Sequence, residues 1–304
     1  MRYAAIDIGS NAIRLLIADI IESPQEITFK KNTLIRVPLR LGDNAFLDKK
    51  ISEKKANDLI KTMLAFRNLM DVYGVVQYMA CATSAMREAV NGNDLVRKIK
   101  KIANIDLEIV AGQKEAHIIY SSHISEHLDN KKDYLYIDVG GGSTELSIFS
   151  EGQPEVSRSF DLGTIRILDN QDKDETWADM KEWIKQNSKK YKYLTGIGTG
   201  GNINKIFKMS QEKDGAPLSF SKLKDIYNYL NSYSLKDRIM VLDLNQDRAD
   251  VIIPACEIYM AVMKWAEIKQ IYVPRVGMVD GIIQILIEKN FTQQLPGPRS
   301  SKLQ

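Results

Sequence analysis

The 304-residue sequence has few features of a secreted, membrane-bound or nucleic-acid-binding protein. It contains two cysteines, Cys81 and Cys256, without metal or redox spacing, so we expect buried free thiols in a reducing compartment. No apolar run approaches the ~20 residues that a membrane span requires, and the chain opens on a strand pattern instead of a signal peptide. The net charge of +3 is too small to indicate nucleic-acid binding. These absences predict a cytoplasmic protein.

The composition is that of a soluble globular protein, with 44% hydrophobic and 27% charged residues. The length favours two domains. Neither a low-complexity segment nor a linker rich in proline and serine separates two parts of the chain. The small basic excess suits an anionic ligand, but only weakly.

A run of glycines in the middle of the chain is the most informative motif. Gly140–Gly142 and Ser143 join two apolar, β-rich runs, which predicts a hairpin whose turn lacks side-chain bulk. Such turns let backbone N–H groups approach an anion closely. Asp138 ends the incoming strand and Glu145 begins the outgoing one, and two carboxylates beside a phosphate cradle are consistent with a shared divalent cation. A plain hairpin with two solvated acids is the alternative for this stretch taken alone.

A second copy of this motif lies near the N-terminus, where Asp7 and Gly9 precede Ser10 and Asn11. Asp7 and Asp138 are separated by about 130 residues, which is a domain-sized period. The repeat predicts two similar α/β lobes, and each lobe is expected to offer a strand-turn-strand loop to a shared cleft.

Three further stretches could contribute to that cleft. Arg87 and small hydroxyl residues follow a predicted strand over 75–82, which suits an anion site or an ordinary capped helix start. Glu115 lies near the start of a predicted helix, where it could face a cleft or serve only as a helix-dipole partner. A second glycine-rich turn at 197–204 could hold phosphate, which is weak evidence alone. The histidines at 117, 123 and 127 have no adjacent acid that completes a metal-binding motif, and they are interpreted as surface residues.

Local patterns also predict the remaining elements and the domain limits. Strands are expected at 27–30 and 33–41, a turn at 42–44, and one long helix from 247 to about 268. We expect domains at 1–126 and 127–304, with the boundary in the polar stretch around 125–132. The closing helix at 278–289 is expected to pack back on the first lobe, and the tail over 293–304 to be flexible.

The ordered set of motifs resembles the exopolyphosphatase and guanosine pentaphosphate phosphohydrolase (Ppx/GppA) family, within the actin, hexokinase and Hsp70-like superfamily. The matching stretches cover roughly residues 3–290 and are Ile6–Asn11, Ala82–Arg87, Gly112–Ala116, Asp138–Glu145, Gly163 with Arg166, Gly198–Gly201 and Arg248–Asp250. The resemblance implies an α/β fold of two duplicated actin-like, ribonuclease H-like ATPase lobes with an interlobe cleft.

The resemblance also implies a hydrolytic site. Glu115, Asp138 and Glu145 are the implied catalytic residues, with Glu115 activating the attacking water. Asp7, Asp138 and Glu145 are the implied ligands of Mg²⁺ or another divalent cation, and K⁺ is a further candidate cation. The implied phosphate-binding residues are Gly9, Ser10, Asn11, Ser84, Arg87, Gly140, Gly141, Gly142, Ser143, Thr144, Arg166, Gly200 and Gly201.

The implied activity is release of phosphate from the end of inorganic polyphosphate. Hydrolysis of the 5′-phosphate of pppGpp is the second hypothesis. An ATP-dependent kinase of the same superfamily and a non-catalytic phosphate or alarmone sensor remain as alternatives. A homodimer is expected, without a nucleic-acid or membrane partner. Two residues depart from the family pattern, namely Lys114 in place of a second glutamate and Val279 in place of an arginine. The lack of an extra helical domain puts processive hydrolysis of long chains in doubt.

Overall fold

The structure is a computed structural model that describes residues 1–23, 26–121 and 132–291. The expected domain boundary, His123, His127 and the tail over 293–304 lie outside the described residues. None of the helices in the described part is both long and apolar enough to cross a bilayer.

The first lobe is built on a five-stranded sheet with the order β3-β2-β1-β4-β5. Its strands are β1 (Arg2–Ile8), β2 (Ile13–Glu22), β3 (Ile27–Val37), β4 (Val75–Ala82) and β5 (Leu107–Ile109). Its helices are α1 (Gly42–Ala45), α2 (Glu53–Val72), α3 (Ser84–Glu88), α4 (Gly92–Ala103) and α5 (Gly112–Tyr120). The central strands β1 and β2 are almost wholly buried, as their continuous apolar sequences require, whereas the edge strand β3 is largely exposed.

The second lobe is built on a six-stranded sheet with the order β10-β11-β9-β6-β7-β8. Its strands are β6 (Asp133–Val139), β7 (Thr144–Ser150), β8 (Gln153–Phe160), β9 (Leu194–Thr199), β10 (Leu218–Ser219) and β11 (Gln270–Tyr272). Its helices are α6 (Thr164–Leu168), α7 (Asp174–Ser188), α8 (Gly201–Ser210), α9 (Phe220–Asn231), α10 (Leu235–Met240), α11 (Gln246–Ala249), α12 (Ile252–Trp265) and α13 (Met278–Phe291).

The two sheets repeat one topology. In each sheet the first three strands form an antiparallel meander, and two further strands then add in parallel on the far side of the first strand. Asp7 and Asp138 are both the penultimate residue of the first strand. Asp7 is paired in register with Arg14, and Asp138 with Glu145. The predicted duplication into two similar α/β lobes is therefore correct.

The last helix of each lobe packs between the two sheets. Helix α13 lies against β1, β2 and β4 of the first sheet, and α5 lies against β7 and β8 of the second. The two helices also contact each other, and a Cβ at Gly281 would lie 1.7 Å from the backbone oxygen of Ile118. Only glycine allows this close crossing. Both helices share one buried apolar cluster with Tyr3, Leu16 and Tyr136 from the two sheets.

Several local expectations differ from the structure. The predicted strands at 27–30 and 33–41 are one strand that ends at Val37, and the expected turn at 42–44 is the short helix α1. The expected turn over 197–199 is the end of β9, so that glycine-rich segment turns only at Gly200. The long helix from 247 is divided into α11 and α12 at Asp250 and Val251, where Pro254 has no N–H to donate to the carbonyl of Asp250. The Asp250 side chain pairs with Arg40 at 2.6 Å.

Candidate active site

A cavity of about 330 Å³ lies between the lobes, and both predicted hairpin turns line it. Its carboxylates are Asp7, Glu115, Asp138, Glu145 and Asp280. Its guanidinium groups are Arg14, Arg36, Arg248 and Arg275. Both lobes thus offer their hairpin turns to one cleft, as the repeat predicted, and acidic and basic side chains surround it.

Each of the two turns is closed by an equivalent backbone hydrogen bond. Gly9 N–H donates to the carbonyl of Ala12 at 3.2 Å, and Gly140 N–H donates to the carbonyl of Ser143 at 2.9 Å. The second turn is held further by the backbone N–H groups of Thr164 and Ile165, which donate to carbonyls in the turn at 3.0 and 2.8 Å. The start of α6 therefore fixes the backbone that faces the cavity.

The structure brings many of the predicted phosphate-binding residues to the cavity wall, but not all of them. Those that line the cavity are Gly9, Ser10, Asn11, Ser84, Gly140, Gly141, Ser143 and Gly201. Those that do not line it are Arg87, Gly142, Thr144, Arg166 and Gly200. The hydroxyls of Ser10 and Ser84 are 2.9 Å apart, so they link a turn of the first sheet to the start of α3.

Arg166 supports the second turn from behind. Its Nε donates to the carbonyl of Gly142 at 2.6 Å, its guanidinium pairs with Glu88, and it lies 4.2 Å from the ring centre of Phe46. The side chain is only 7% exposed. These bonds occupy the guanidinium inside the protein, so the position of Arg166 differs from that expected of a phosphate ligand.

Glu115 reaches the cavity from the first turn of α5. Its side chain is 12% exposed, and Arg87 Nη1 lies 3.7 Å from Glu115 Oε2, which is too far for a hydrogen bond. Arg87 instead donates to the carbonyl of Val110 at 2.9 Å. The Oε2 atom is buried and has no hydrogen-bond partner among the described residues. A buried oxygen without a partner indicates a site prepared for a ligand, water or cation.

Glu145 and Asp138 come from the second hairpin and face the same cavity. Ser159 donates to Glu145 Oε1 at 2.8 Å, and the Ser143 hydroxyl also bonds to this carboxylate. In the first lobe, Asp7 accepts from Arg14 at 2.6 Å. The second lobe thus presents two carboxylates where the first presents an ion pair.

The carboxylates raise one another's pKa values. Burial is the main cause of the increase in the Glu115 pKa, which lies well above its usual value, and Glu145 and Asp138 add to it. Burial and Asp138 raise the pKa of Glu145 to about 7. Burial and Asp7 likewise raise the pKa of Asp138 to about 6, against the opposing charge of Arg14. The pocket therefore has an excess of negative charge on this side, which a cation would relieve.

The donor set fits a hard divalent cation. Mg²⁺ prefers oxygen ligands and is usually bound by one or two carboxylates together with substrate phosphates and waters. Asp138 and Glu145 supply such oxygens, and the unpartnered oxygen of Glu115 lies in the same cavity. No group of three acidic, histidine or cysteine side chains in the described ranges forms a complete metal cage.

The cavity also has a basic wall formed by its four arginines, to which the sequence motifs assigned no role. Arg36 pairs with Asp247, whereas burial and the positive charges of Arg36 and Arg14 lower the pKa of Arg248. A guanidinium held among other cations favours an anionic ligand. Arg14 could have been found from the repeat, because it occupies the position of Glu145. Nothing comparable in the sequence marks Arg36.

The two departures from the family pattern have different positions. Lys114 pairs with Glu108 on β5 at 2.5 Å and does not line the cavity. Val279 does line it, next to Asp280, whose carboxylate pairs with Lys31 at 2.6 Å and accepts from the N–H of Gly277 at 2.9 Å. The second substitution therefore alters the cavity wall, and the first does not.

Comparison with known proteins identifies the family. The sequence model of the Ppx/GppA phosphatase family matches residues 25–290. The chain belongs to this family. The resemblance inferred from the ordered motifs is thereby confirmed.

Individual relatives agree with this assignment. The chain is 31% identical over 198 residues to a bifunctional 3-dehydroquinate synthase/phosphatase of Fusobacterium nucleatum, which is 61% of this chain and 30% of the relative. It is 30% identical over 169 residues to exopolyphosphatase 1 of Mycobacterium tuberculosis, which is 55% of this chain and 48% of the relative. The chain thus spans half or less of the length of these two relatives.

The fold is also similar to that of solved structures. The crystal structure of an exopolyphosphatase from Cytophaga hutchinsonii superposes with a TM-score of 0.82 and 23% identity, covering 95% of this chain and 98% of that one. At this identity the similarity establishes the two-lobed fold.

Proposed function

We propose that this protein hydrolyses the terminal phosphoanhydride bond of inorganic polyphosphate and releases phosphate. One observation carries the proposal. Glu115, whose buried Oε2 has no hydrogen-bond partner in the described part of the chain, faces the same cavity as Asp138 and Glu145, beside two glycine turns and a wall of arginines. Membership of the Ppx/GppA phosphatase family and the similarity to an exopolyphosphatase support the same reaction.

The basic wall and the glycine turns bind the substrate. The N–H groups of the turns and the guanidinium groups of Arg14 and Arg248 would hold phosphoryl oxygens and neutralise their charge. These groups come from both lobes, so a phosphate chain would bridge the cleft. Their role is to position the terminal phosphorus and to stabilise the charge that spreads over its oxygens during transfer.

Glu115 is the general base. It accepts a proton from a water molecule while the water oxygen bonds to the terminal phosphorus and the bond to the bridging oxygen breaks. The shortened chain leaves with the electron pair of that bond. Inorganic phosphate is the second product, and Glu115 returns its proton to solvent.

Asp138 and Glu145 would hold the divalent cation. A bound Mg²⁺ would neutralise charge on the phosphoryl oxygens. Deprotonated Asp138 and Glu145 are required for that binding, and the electrostatic relief would lower the pKa of Glu115, so that it becomes able to accept a proton. The high pKa of Glu115 without a cation thus agrees with a base that is switched on by assembly of the site.

The proposal is tested by phosphate release from short polyphosphate, long polyphosphate, pppGpp and ATP, with Mg²⁺ present and with EDTA. We expect Mg²⁺-dependent release that is fastest with polyphosphate. Faster release from pppGpp would make the protein a pppGpp 5′-phosphohydrolase. Phosphate binding without release from any of the four compounds would contradict the hydrolase proposal and favour a sensor.

A further inference from the structure

A buried tyrosine lies directly behind the proposed site. Tyr136 is 5% exposed. It lies two residues before Asp138 on β6, so both side chains are on the same face of the strand. Its neighbours on the strand, Leu135 and Ile137, are aliphatic, and its ring packs edge-on against Phe149 with ring centres 6.4 Å apart. A buried hydroxyl is costly unless it is hydrogen-bonded. Phenylalanine would satisfy the packing alone, so the hydroxyl requires an explanation.

The hydroxyl of Tyr136 donates to Thr199 Oγ1 at 2.6 Å, and both side chains are buried. Thr199 ends β9 and is the register partner of Asp138 on the neighbouring parallel strand. Their side chains therefore leave the sheet on the same face. The Thr199 hydroxyl bonds to the Asp138 carboxylate, which lowers the carboxylate pKa against the effect of burial.

The direction of these bonds is fixed by the number of protons. A threonine hydroxyl has one proton, and an ionised carboxylate can only accept. With the Tyr136 proton directed at Thr199 Oγ1, the Thr199 proton is directed at Asp138. The chain of donors from Tyr136 through Thr199 thus ends at the carboxylate that the proposed function assigns to the divalent cation.

The first lobe lacks this arrangement at the equivalent place. The register partner of Asp7 on β4 is Cys81, whose thiol is a weak donor, and Asp7 is instead held by Arg14 at 2.6 Å. Asp138 has no such guanidinium at its register partner, which is Glu145. A neutral donor chain orients Asp138 without adding a positive charge that would compete with a cation.

We propose that Tyr136 is a positioning residue for the reaction, acting through Thr199 to orient the Asp138 carboxylate toward its cation. The inference rests on the proposed function for the identity of that cation. Partners of this kind orient metal ligands in many sites, and their loss costs roughly 10–100-fold in metal affinity. The hydroxyl of Tyr136 is the only group removed by Tyr136→Phe, so this variant isolates the effect.

The matched control is a second buried tyrosine beside the same strand. Tyr259 donates to the backbone carbonyl of Thr199 at 2.5 Å and leaves its side chain untouched. Tyr259→Phe therefore removes a buried hydrogen bond to the same residue without changing the donor chain. Thr199→Val breaks the chain, and Thr199→Ser keeps the hydroxyl and should restore function.

The experiment measures Mn²⁺ binding to the full chain without substrate, by the electron paramagnetic resonance signal of free Mn²⁺, and the Mg²⁺ concentration for half-maximal polyphosphate hydrolysis. We expect Thr199→Val to weaken Mn²⁺ binding by roughly 10–100-fold, and Tyr136→Phe to weaken it in the same direction by less. Both variants should raise the Mg²⁺ requirement while the rate at saturating Mg²⁺ stays near that of the parent. Tyr259→Phe and Thr199→Ser should match the parent in both measurements.

Two results would overturn the inference. One is Tyr136→Phe with the Mn²⁺ affinity and Mg²⁺ requirement of the parent. The other is an equal loss in Tyr136→Phe and Tyr259→Phe, which would indicate a general packing role, and thermal melting of each variant checks that it folds. A parent protein that hydrolyses none of the phosphate compounds would refute the proposed function separately, while the order of Mn²⁺ affinities still tests the role of Tyr136.

Discussion

Arg14 in the first lobe and Glu145 in the second occupy equivalent positions, each opposite the aspartate of its own hairpin. The duplication has therefore kept the backbone and reversed one charge. The first hairpin neutralises Asp7 with a 2.6 Å ion pair, whereas the second leaves Asp138 and Glu145 to share their negative charge. The cavity consequently has one side suited to phosphate and another suited to a cation and a polarised water.

The first prediction concerns the proposed base. Glu115→Gln keeps the shape of the side chain and removes its ability to accept a proton, so polyphosphate turnover should fall by roughly 10²–10⁴-fold. Substrate affinity should stay close to that of the parent, since the basic wall is unchanged. Single-turnover phosphate release and a separate binding measurement check both parts.

Glu108→Gln is the matched control. Glu108 is exposed, pairs with Lys114, and does not line the cavity. We expect this variant to hydrolyse polyphosphate at the parent rate. A Glu115→Gln protein that is as active as the Glu108→Gln protein would exclude Glu115 as the base and leave it a helix-terminus residue.

The second prediction distinguishes a structural role of Arg166 from a phosphate-binding role of Arg248. Arg166 is held by Gly142 and Glu88, so Arg166→Met leaves the Gly142 carbonyl without this donor and leaves the half-buried Glu88 with Lys49 as its partner. We expect a loss of about 1–3 kcal/mol in the free energy of unfolding. Arg248→Met removes a half-buried guanidinium that lies near Arg36 and Arg14 as well as Asp247, and its stability should stay close to that of the parent.

For polyphosphate binding we expect the opposite ranking, with Arg248→Met more affected than Arg166→Met. Arg248→Met should bind the substrate at least ~10-fold more weakly, because a charge-assisted bond to phosphate contributes about 1.5–3 kcal/mol. Urea unfolding and polyphosphate titration of the two variants give the comparison. Weak binding in a fully stable Arg166→Met protein would instead make Arg166 a phosphate ligand, as the sequence motif implies.

The third prediction uses a glycine of the cavity wall. A Cβ at Gly201 would lie 2.9 Å from Nη2 of Arg248, which is the end of a flexible side chain. Gly201→Ala should therefore move that guanidinium while the backbone stays in place, and polyphosphate should bind more weakly with little loss of stability. A Cβ at Gly142, in contrast, would lie 2.1 Å from Phe46 and 2.7 Å from Ser84 Oγ.

Gly142→Ala should consequently unfold more readily than Gly201→Ala, since the ring of Phe46 is buried and cannot move aside. Thermal melting and polyphosphate titration of both variants distinguish the two effects. Equal melting temperatures for the two proteins would show that the packing around Gly142 tolerates a side chain.

The repeated strand-turn-strand motif could be found in the sequence, because its turns require glycine and the buried strands before them require apolar residues. Those demands located Asp7, Asp138 and Glu145 correctly on the two hairpins. The position of Arg166 was not readable, since an arginine after a glycine turn can face a ligand or brace the backbone. Only the tertiary contact with Glu88 distinguishes the two.

One of the elements that were predicted incorrectly lies beside a long-range contact. The helix expected from 247 is interrupted where Asp250 pairs with Arg40, more than 200 residues away in the sequence. Local periodicity carries no information about such partners.

The last prediction concerns pH and stability. The pKa of Glu145 is raised from 4.5 to about 7 in the folded protein, first by burial and then by Asp138. The folded state therefore holds this proton more tightly than the unfolded chain does. The resulting stability is complete below pH ~4.5, is lost as the pH rises through 7, and amounts to at most about 3 kcal/mol. Asp138, raised to about 6, adds a loss of the same sign.

Glu145→Gln removes the titrating group while it keeps an oxygen that can accept from Ser159. In EDTA, the free energy of unfolding of the parent should fall between pH 5 and pH 8 by more than that of the variant, and the variant should be the more stable protein at pH 8. Mg²⁺ should restore the parent and have less effect on Glu145→Gln, because a cation favours the ionised carboxylate. Urea unfolding at both pH values measures this, with Glu155→Gln as the control, since Glu155 is exposed and pairs with Lys190. Parallel curves for the parent and Glu145→Gln would contradict a raised pKa at this residue, and with it the argument that the metal-free site stores unfavourable charge.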